Sequence, residues 1–143
     1  MVWAIALAGG GAFAADKPMK LEAMPPDVQQ AIRNEAKGAT IKNTLVEVEN
    51  GQTFYEAETI RNGRTRDFLV DANGVVVEIE DAIDVASAPA PVQAALEKAA
   101  AGGKIERLER VTRHGTVAGY EARIVKNGRK KGVSLKPDGT PMK

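Results

Sequence analysis

Two pairs of glutamates have the spacing of positions on one face of a β-strand. Glu47 and Glu49 form the first pair, and Glu56 and Glu58 form the second. Because alternate side chains of a strand lie on the same face, each pair could supply a general acid and a general base. That chemistry requires one carboxyl group with a raised pKa, and the sequence shows no apolar surroundings that would raise it. We therefore expect both pairs to lie on a solvated strand face.

Other side chains that could catalyse a reaction are few. The chain has 143 residues, one histidine and no cysteine, which excludes disulfides, thiolate metal sites and cysteine nucleophiles. His114 stands beside Gly115, and we expect a solvated turn residue there, because a general base also needs a positioned partner. Ser87 and Ser134 are the only serines, and neither lies in a nucleophile elbow. The sequence therefore predicts a protein that is not an enzyme and uses no cofactor.

The segment Asp71-Ala-Asn73-Gly74 has some likeness to a calcium-binding loop. It lacks the further oxygen ligands and the closing glutamate that such a loop carries at a set spacing. Aspartate, asparagine and glycine are also the residues that favour tight turns. We therefore predict a turn between two strands at this segment and no metal site.

The composition fits a folded protein that does not bind nucleic acid. Hydrophobic residues make up 43% of the chain and charged residues 27%, which is sufficient for a core. Aromatic residues make up only 4%, and the net charge is +1, so neither base stacking nor overall attraction to nucleic acid is expected. The basic residues at 126–131 are interpreted as protection of an edge strand.

The first 14 residues are predicted to be a signal peptide. They form an apolar segment that ends in Ala12-Phe13-Ala14, the small-residue pattern of a cleavage site. The segment is too short to cross a bilayer as a helix. We expect cleavage after Ala14, a periplasmic or secreted location, and no transmembrane segment in the mature chain. The alternative is an apolar N-terminal strand, because no lysine or arginine precedes the segment.

The rest of the chain contains an internal repeat. Residues 25–32 match residues 89–96 at an offset of 64, and Tyr55-Glu56-Ala57 matches Tyr120-Glu121-Ala122 at an offset of 65. Asn-Gly-Arg also occurs twice, at 62–64 and 127–129. We predict one repeat at residues 15–82 and a second at residues 83–143, whose last strand is short or missing. Residues 81–91 are predicted to form the linker.

Each repeat is predicted to begin with a helix and to continue as antiparallel strands. Val28, Ala31 and Ile32 form an apolar helical stripe, which recurs in the second repeat. An Asn-Gly pair favours a two-residue hairpin turn, so Ala57 should pair with Phe68. The same reasoning pairs Tyr55 with Val70, Ala122 with Val133, and Tyr120 with Leu135. The predicted fold class is α+β, with two tandem units, each an N-terminal helix packed on a 3–4-stranded antiparallel sheet.

The face of each hairpin opposite its apolar residues is predicted to be polar and to bind a partner. Residues 15–80 carry 8 basic and 12 acidic residues, whereas residues 81–143 carry 12 basic and 7 acidic residues. Such opposite charges could dock a protein. The alternatives are attraction between the two repeats and evolutionary drift of their charges. The residues predicted for the partner-binding face are Glu56, Glu58, Asp67, Glu121, Arg123 and Lys130.

These motifs together resemble the PepSY-like family, also called β-lactamase-inhibitor-like. The resemblance covers nearly all of the predicted mature chain, twice, and it rests on the Pro-led helix with Val-x-x-Ala-Ile, the Tyr-Glu-Ala-Glu segment, Asn-Gly-Arg and Asp-Ala-Asn-Gly-Val. It implies an exported protein of short helix-plus-sheet units, and it supplies no catalytic residues. The family is named after an inhibitor that grips β-lactamase with a sheet surface.

The resemblance implies an exported, non-enzymatic binding protein whose partner is another envelope or secreted protein. The specific binding function that the resemblance implies is inhibition or modulation of an envelope or periplasmic hydrolase, of protease or β-lactamase type, through the polar sheet face. The alternative is an envelope sensor that binds a small ligand or a cation on the acidic strand face of the first repeat. A sensor should gain thermal stability from its ligand, whereas a docking protein should retain a protein partner.

Overall fold

The computed structural model describes residues 16–142. The predicted signal peptide, residues 1–14, lies outside these residues. The two α-helices are α1 (Pro26–Glu35) and α2 (Ala90–Ala100). The strands are β1 (Lys17–Pro18), β2 (Thr40–Glu49), β3 (Gln52–Arg61), β4 (Arg64–Asp71), β5 (Val76–Ala82), β6 (Lys104–Arg113), β7 (Thr116–Lys126) and β8 (Arg129–Leu135).

The eight strands form one antiparallel sheet in chain order, so the predicted fold of two tandem helix-on-sheet units, each with its own 3–4-stranded sheet, is wrong. The predicted linker at residues 81–91 overlaps two elements, because residues 81 and 82 belong to β5 and α2 begins at Ala90. β5 extends to Ala82, a 3-10 turn follows at Val85–Ser87, and the amide of Ile83 donates to the carbonyl of Leu108 at 2.9 Å. Backbone groups at a sheet edge need partners, and continued strand pairing supplies them.

The chain divides after Ile79 into two compact units, called unit 1 and unit 2 below. In unit 1, the apolar stripe of α1 packs on β3 and β4. The predicted pairs of Tyr55 with Val70 and Ala57 with Phe68 are confirmed. Asn62 has a φ of 52°, as the predicted two-residue turn requires. The buried core of unit 1 consists of Met24, Val28, Ile32, Ala36, Tyr55, Ala57, Phe68 and Val70.

Unit 2 packs α2 on β6, β7 and β8 in the same manner. The predicted pairs of Ala122 with Val133 and Tyr120 with Leu135 are confirmed. After β8, Leu135 forms an isolated bridge with Pro141. The buried core of this unit consists of Ala88, Val92, Leu96, Leu108, Tyr120, Ala122 and Leu135.

Basic side chains from the sheet hold the C-terminal ends of both helices. Arg61 Nη2 donates to the carbonyl oxygens of Glu35 at 2.9 Å and Lys37 at 2.8 Å. Lys126 Nζ donates to the carbonyl of Ala101 at 2.7 Å. The last carbonyls of a helix have no partner within the helix, so these contacts satisfy them and anchor each helix over the sheet. Between residues 16 and 142, neither helix is long and apolar enough to cross a membrane.

Candidate functional site

In each unit, the residues predicted for partner binding lie on the sheet face opposite the helix of that unit, called the charged face of the unit below. Tyr55 and Ala57 contribute to the core under α1, so Glu56 and Glu58 project to the other side of β3. Asp67 pairs with Glu58 and shares that side. In unit 2, the pairing of β7 with β8 places three predicted residues on one face in the same way, namely Glu121, Arg123 and Lys130.

The expectation that this face is fully solvated is wrong for several carboxylates. Only 2% of Glu56 is exposed, with 6% of Asp67 and 9% of Glu121. Glu58 and Arg123 are half-buried, and Lys130 is exposed. Neighbouring strands lie about 4.8 Å apart, so long side chains on adjacent strands cover one another even on a polar face. Glu58 also accepts a hydrogen bond from Asn43 Nδ2 at 2.5 Å.

Three carboxylates of unit 1 converge into what we call the acidic cluster: Asp16, Glu47 and Glu56. Each offers an oxygen that lies within 4.8 Å of the others. The tight turn at Asn50-Gly51 places β2 beside β3 and pairs Glu47 with Phe54 and Leu45 with Glu56, so both glutamates share a face. β1 pairs with β2 through Lys17 and Val46, and this contact brings the preceding Asp16 to the cluster.

Burial and like charges strongly perturb both glutamates of the acidic cluster. Burial raises the pKa of Glu56 from 4.5 to about 8. Four neighbouring carboxylates add to this effect, namely Glu58, Asp67, Asp16 and Glu47. Burial also raises the pKa of Glu47 from 4.5 to about 7, followed in strength by its hydrogen bond with Asp16 and by neighbouring negative charges. The sequence-based expectation that neither carboxyl pair contains a raised pKa is therefore wrong.

Glu56 has an unsatisfied oxygen. Its Oε1 is buried and has no hydrogen-bond partner among residues 16–142. A buried carboxylate oxygen without a partner is costly, so most such oxygens are satisfied by hydrogen bonds, by a proton or by a cation. Glu56 is also a member of the acidic cluster, in which Asp16 and Glu47 each place a carboxylate oxygen close to its own carboxylate. The arrangement can therefore hold a proton or a hard metal ion.

The charged face of unit 2 neutralises its buried glutamate with arginine. Glu109 is 2% exposed, and its Oε2 lies 3.0 Å from Arg107 Nη2. Burial raises the pKa of Glu109, whereas the charges of Arg107 and Arg123 lower it. Arg123 also lies 3.7 Å from the carboxylate of Glu106. The two units thus differ in how their buried carboxylates on this face are balanced.

Two sequence predictions outside the acidic cluster are confirmed. His114 is an exposed turn residue with a φ of 47° between β6 and β7. Asp71 Oδ1 accepts the amide hydrogens of Asn73 and Val75, each at 2.9 Å, so this segment is a turn between β4 and β5. Both segments are therefore turns between neighbouring strands, as predicted.

Sequence reasoning missed the acidic cluster, although part of the signal was present. The Asn50-Gly51 turn fixes the register of β2 against β3. Because side chains alternate between the two faces along each strand, this register could have placed Glu47 and Glu56 on one face. The sequence contains no signal that places Asp16 near the two glutamates. β1 is only two residues long, and nothing in the sequence specifies that it pairs with β2.

Comparison with known proteins identifies a shared fold. No protein-family model matches the chain, and no curated protein matches it either. A solved structure from Bacteroides eggerthii, named for a periplasmic location, has a TM-score of 0.67 at 16% identity, covering 84% of this chain and 86% of its own. A DUF2874 family protein from Bacteroides ovatus has a TM-score of 0.63 at 17% identity, covering 84% and 85%.

A third solved structure has the same fold. It is a BLIP-like protein from Bacteroides fragilis, with a TM-score of 0.59 and 15% identity, and the similarity covers 84% of each chain. At these identities the similarity shows the fold alone. The chain therefore has a BLIP-like fold.

Proposed function

We propose that this chain is an exported, non-enzymatic protein of the periplasm that binds another envelope or secreted protein through its charged face. The observation that carries the proposal is the placement of Glu58, Arg123 and Lys130 opposite the helices, where Lys130 is exposed and the other two are half-buried. Charged groups at a protein surface steer and orient a partner of complementary charge.

The buried residues of the charged face would hold the accessible charged side chains in position for contact with a partner. Glu56, Asp67 and Glu121 lie within the same two hairpins as the accessible charges. Their burial restricts the side chains around them, so that the accessible charges are presented in set positions. A preorganised face loses less conformational entropy when it binds than a flexible one does.

Export is supported by the sequence and by the structural relatives. Residues 1–14 have the composition of a signal peptide and end in Ala12-Phe13-Ala14, so cleavage is proposed after Ala14. A relative with the same fold is named for the periplasm. The proposed location is therefore the periplasm, and the proposed partner is a protein found there or secreted through it.

The specific form of the proposal is inhibition or modulation of a periplasmic hydrolase of β-lactamase or protease type. The fold shared with a BLIP-like protein supports it. Because one fold hosts many functions, the test must measure inhibition directly. The purified protein is titrated against a panel of β-lactamases and periplasmic proteases at low and high salt. We expect salt-sensitive inhibition of at least one enzyme.

Charge variants show whether the charged face is responsible. Glu58→Gln and Lys130→Gln should each weaken inhibition, because each removes one accessible charge. Glu97→Gln and Lys98→Gln on α2 are the matched controls, since they make the same charge changes at exposed helix positions. Equal effects of test and control variants, or no inhibition of any enzyme in the panel, would contradict the proposed function.

A further inference from the structure

We infer that Asp16, Glu47 and Glu56 bind a calcium ion on the charged face of unit 1. Three carboxylates from β2, β3 and the residue before β1 present oxygens within 4.8 Å of one another. Calcium binds oxygens at about 2.3–2.6 Å, so two ligands of one ion lie at most about 5 Å apart. The cluster already has this spacing before any side chain moves.

The state of Glu56 points to a ligand independently of the clustering. Only 2% of this residue is exposed, and its Oε1 has no hydrogen-bond partner in the described part of the chain. A carboxylate placed there solely for stability would ordinarily be paired or replaced by an apolar residue. A cation bound between Glu56, Glu47 and Asp16 would satisfy this oxygen and cancel the repulsion within the cluster.

Unit 2 shows the alternative way to stabilise a buried carboxylate on this face. There the Oε1 of Glu109 is likewise buried without a hydrogen-bond partner in the described residues, but Arg107 lies 3.0 Å from its Oε2 and the positive charge of Arg123 also acts on it. The four charges that act on Glu56 are instead those of carboxylates, namely Glu58, Asp67, Asp16 and Glu47. The positive charge that unit 2 takes from its own arginines would come from a bound ion in unit 1.

Carboxylate ligands favour calcium over the other common cations. Zinc and copper sites generally include histidine or cysteine, and this chain has no cysteine and a single histidine, which is an exposed turn residue of unit 2. Magnesium requires near-octahedral geometry and usually keeps several waters around one or two carboxylates. Calcium accepts irregular geometry and bidentate carboxylates, so three carboxylates could supply up to about six ligand oxygens.

Calcium binding would connect the N-terminal strand to the sheet. Asp16 directly precedes β1, which pairs with β2 through Lys17 and Pro18 and is followed by hydrogen bonds between Met19 and Thr44. An ion shared by Asp16 and Glu47 would therefore hold β1 against β2. Calcium should stabilise the folded protein and order its N-terminal strand. This inference goes beyond the proposed docking role, and its test requires no protein partner.

The experiment uses the exported protein, purified from expressing cells, stripped with EDTA and titrated with CaCl₂ or MgCl₂ in a calorimeter. We expect one calcium ion per chain and a higher melting temperature with calcium. Glu47→Gln and Glu56→Gln should weaken calcium binding at least about tenfold, since each removes a direct ligand. Glu49→Gln is the matched control, because it neutralises a carboxylate on the same face of β2 outside the cluster.

The unmodified protein provides a second readout that does not depend on how the variants fold. Calcium should displace protons from Glu47 and Glu56, so binding near pH 7 should release protons and become tighter as the pH rises to 8. The inference is overturned if calcium neither binds nor releases protons, or if Glu49→Gln weakens binding as much as Glu56→Gln. Equally tight magnesium binding would overturn the assignment to calcium.

Loss of calcium binding and loss of docking are distinguishable outcomes. Calorimetry with calcium alone reports on the acidic cluster, whereas enzyme inhibition reports on the charged face. A protein that binds calcium and inhibits no hydrolase would support the cation site and contradict the docking role. A protein that inhibits a hydrolase equally well in EDTA, and that releases no protons when calcium is added, would support the docking role and contradict the calcium site.

Discussion

The buried carboxylate of Glu56 lies within 4.8 Å of the half-buried carboxylate of Glu47 on the neighbouring strand. Two carboxylates at this distance repel each other when both are ionised, and burial reduces the screening by water. The folded protein must therefore keep a proton on at least one of them or bind a cation between them. Each alternative has measurable consequences for stability.

The stability of the metal-free protein should fall as the pH rises from about 5 to 8. The pKa of Glu56 is raised from 4.5 to about 8, so within this range the folded protein holds a proton that the unfolded chain has lost. The stability that this proton provides is complete below pH 4.5 and is lost as the pH rises through 8. Denaturant unfolding in EDTA at a series of pH values measures the effect.

Glu56→Gln should flatten this pH dependence. Glutamine stays neutral, so at pH 9 the metal-free variant should be more stable than the unmodified protein by on the order of 2 kcal/mol. At pH 5 the two proteins should have similar stabilities. Glu49→Gln on the neighbouring strand β2 serves as the control, because it also removes one negative charge but lies outside the acidic cluster. An unchanged slope in Glu56→Gln would show that Glu56 is ionised in the folded protein at neutral pH.

Asp16→Asn should lower the pKa of Glu47. After burial, the largest causes of the raised pKa of Glu47 are its hydrogen bond with Asp16 and the negative charge of Asp16. Removal of that charge should shift the titration of Glu47 from about 7 toward 4.5, which carboxyl-carbon NMR measures directly. If the titration stays in place, Asp16 does not reach the cluster in solution.

Arg107→Ala should destabilise unit 2. It leaves the buried Glu109 without its nearest cation, and the loss of one partner of a buried ion pair costs about 3 kcal/mol. The cost should become smaller as the pH falls, because protonation of Glu109 removes its buried charge. The double variant Arg107→Met/Glu109→Gln should recover most of the stability. If it is no more stable than Arg107→Ala, the two side chains are not coupled.

Arg61→Ala should destabilise unit 1 by about 1–3 kcal/mol, because it removes two charge-assisted hydrogen bonds at the end of α1. Lys126→Ala is the comparison in unit 2, where an exposed lysine makes one such bond, and its cost should be smaller. Thermal unfolding followed by circular dichroism measures both. An equal or larger effect of Lys126→Ala would contradict this role of Arg61.

The internal repeat remains a prediction, and local contacts support it. Gln29 Nε2 donates to the carbonyl of Met24 at 2.9 Å, and Gln93 Nε2 donates to the carbonyl of Ala88 at 2.8 Å. Both contacts lie at the start of a helix and involve positions that match at the predicted offset of 64. Conserved local geometry of this kind is expected of two copies of one ancestral segment.

The sequence by itself determined the local structure of this protein. Asn62-Gly63 and Asn127-Gly128 adopt positive φ and set the register of both hairpins, so Ala57 faces Phe68 as predicted. The tertiary structure alone decided that the strands join into one sheet, that Glu56 is buried and that Asp16 meets Glu47. Turn residues act on their immediate neighbours, whereas burial and strand partners depend on segments far apart in the chain.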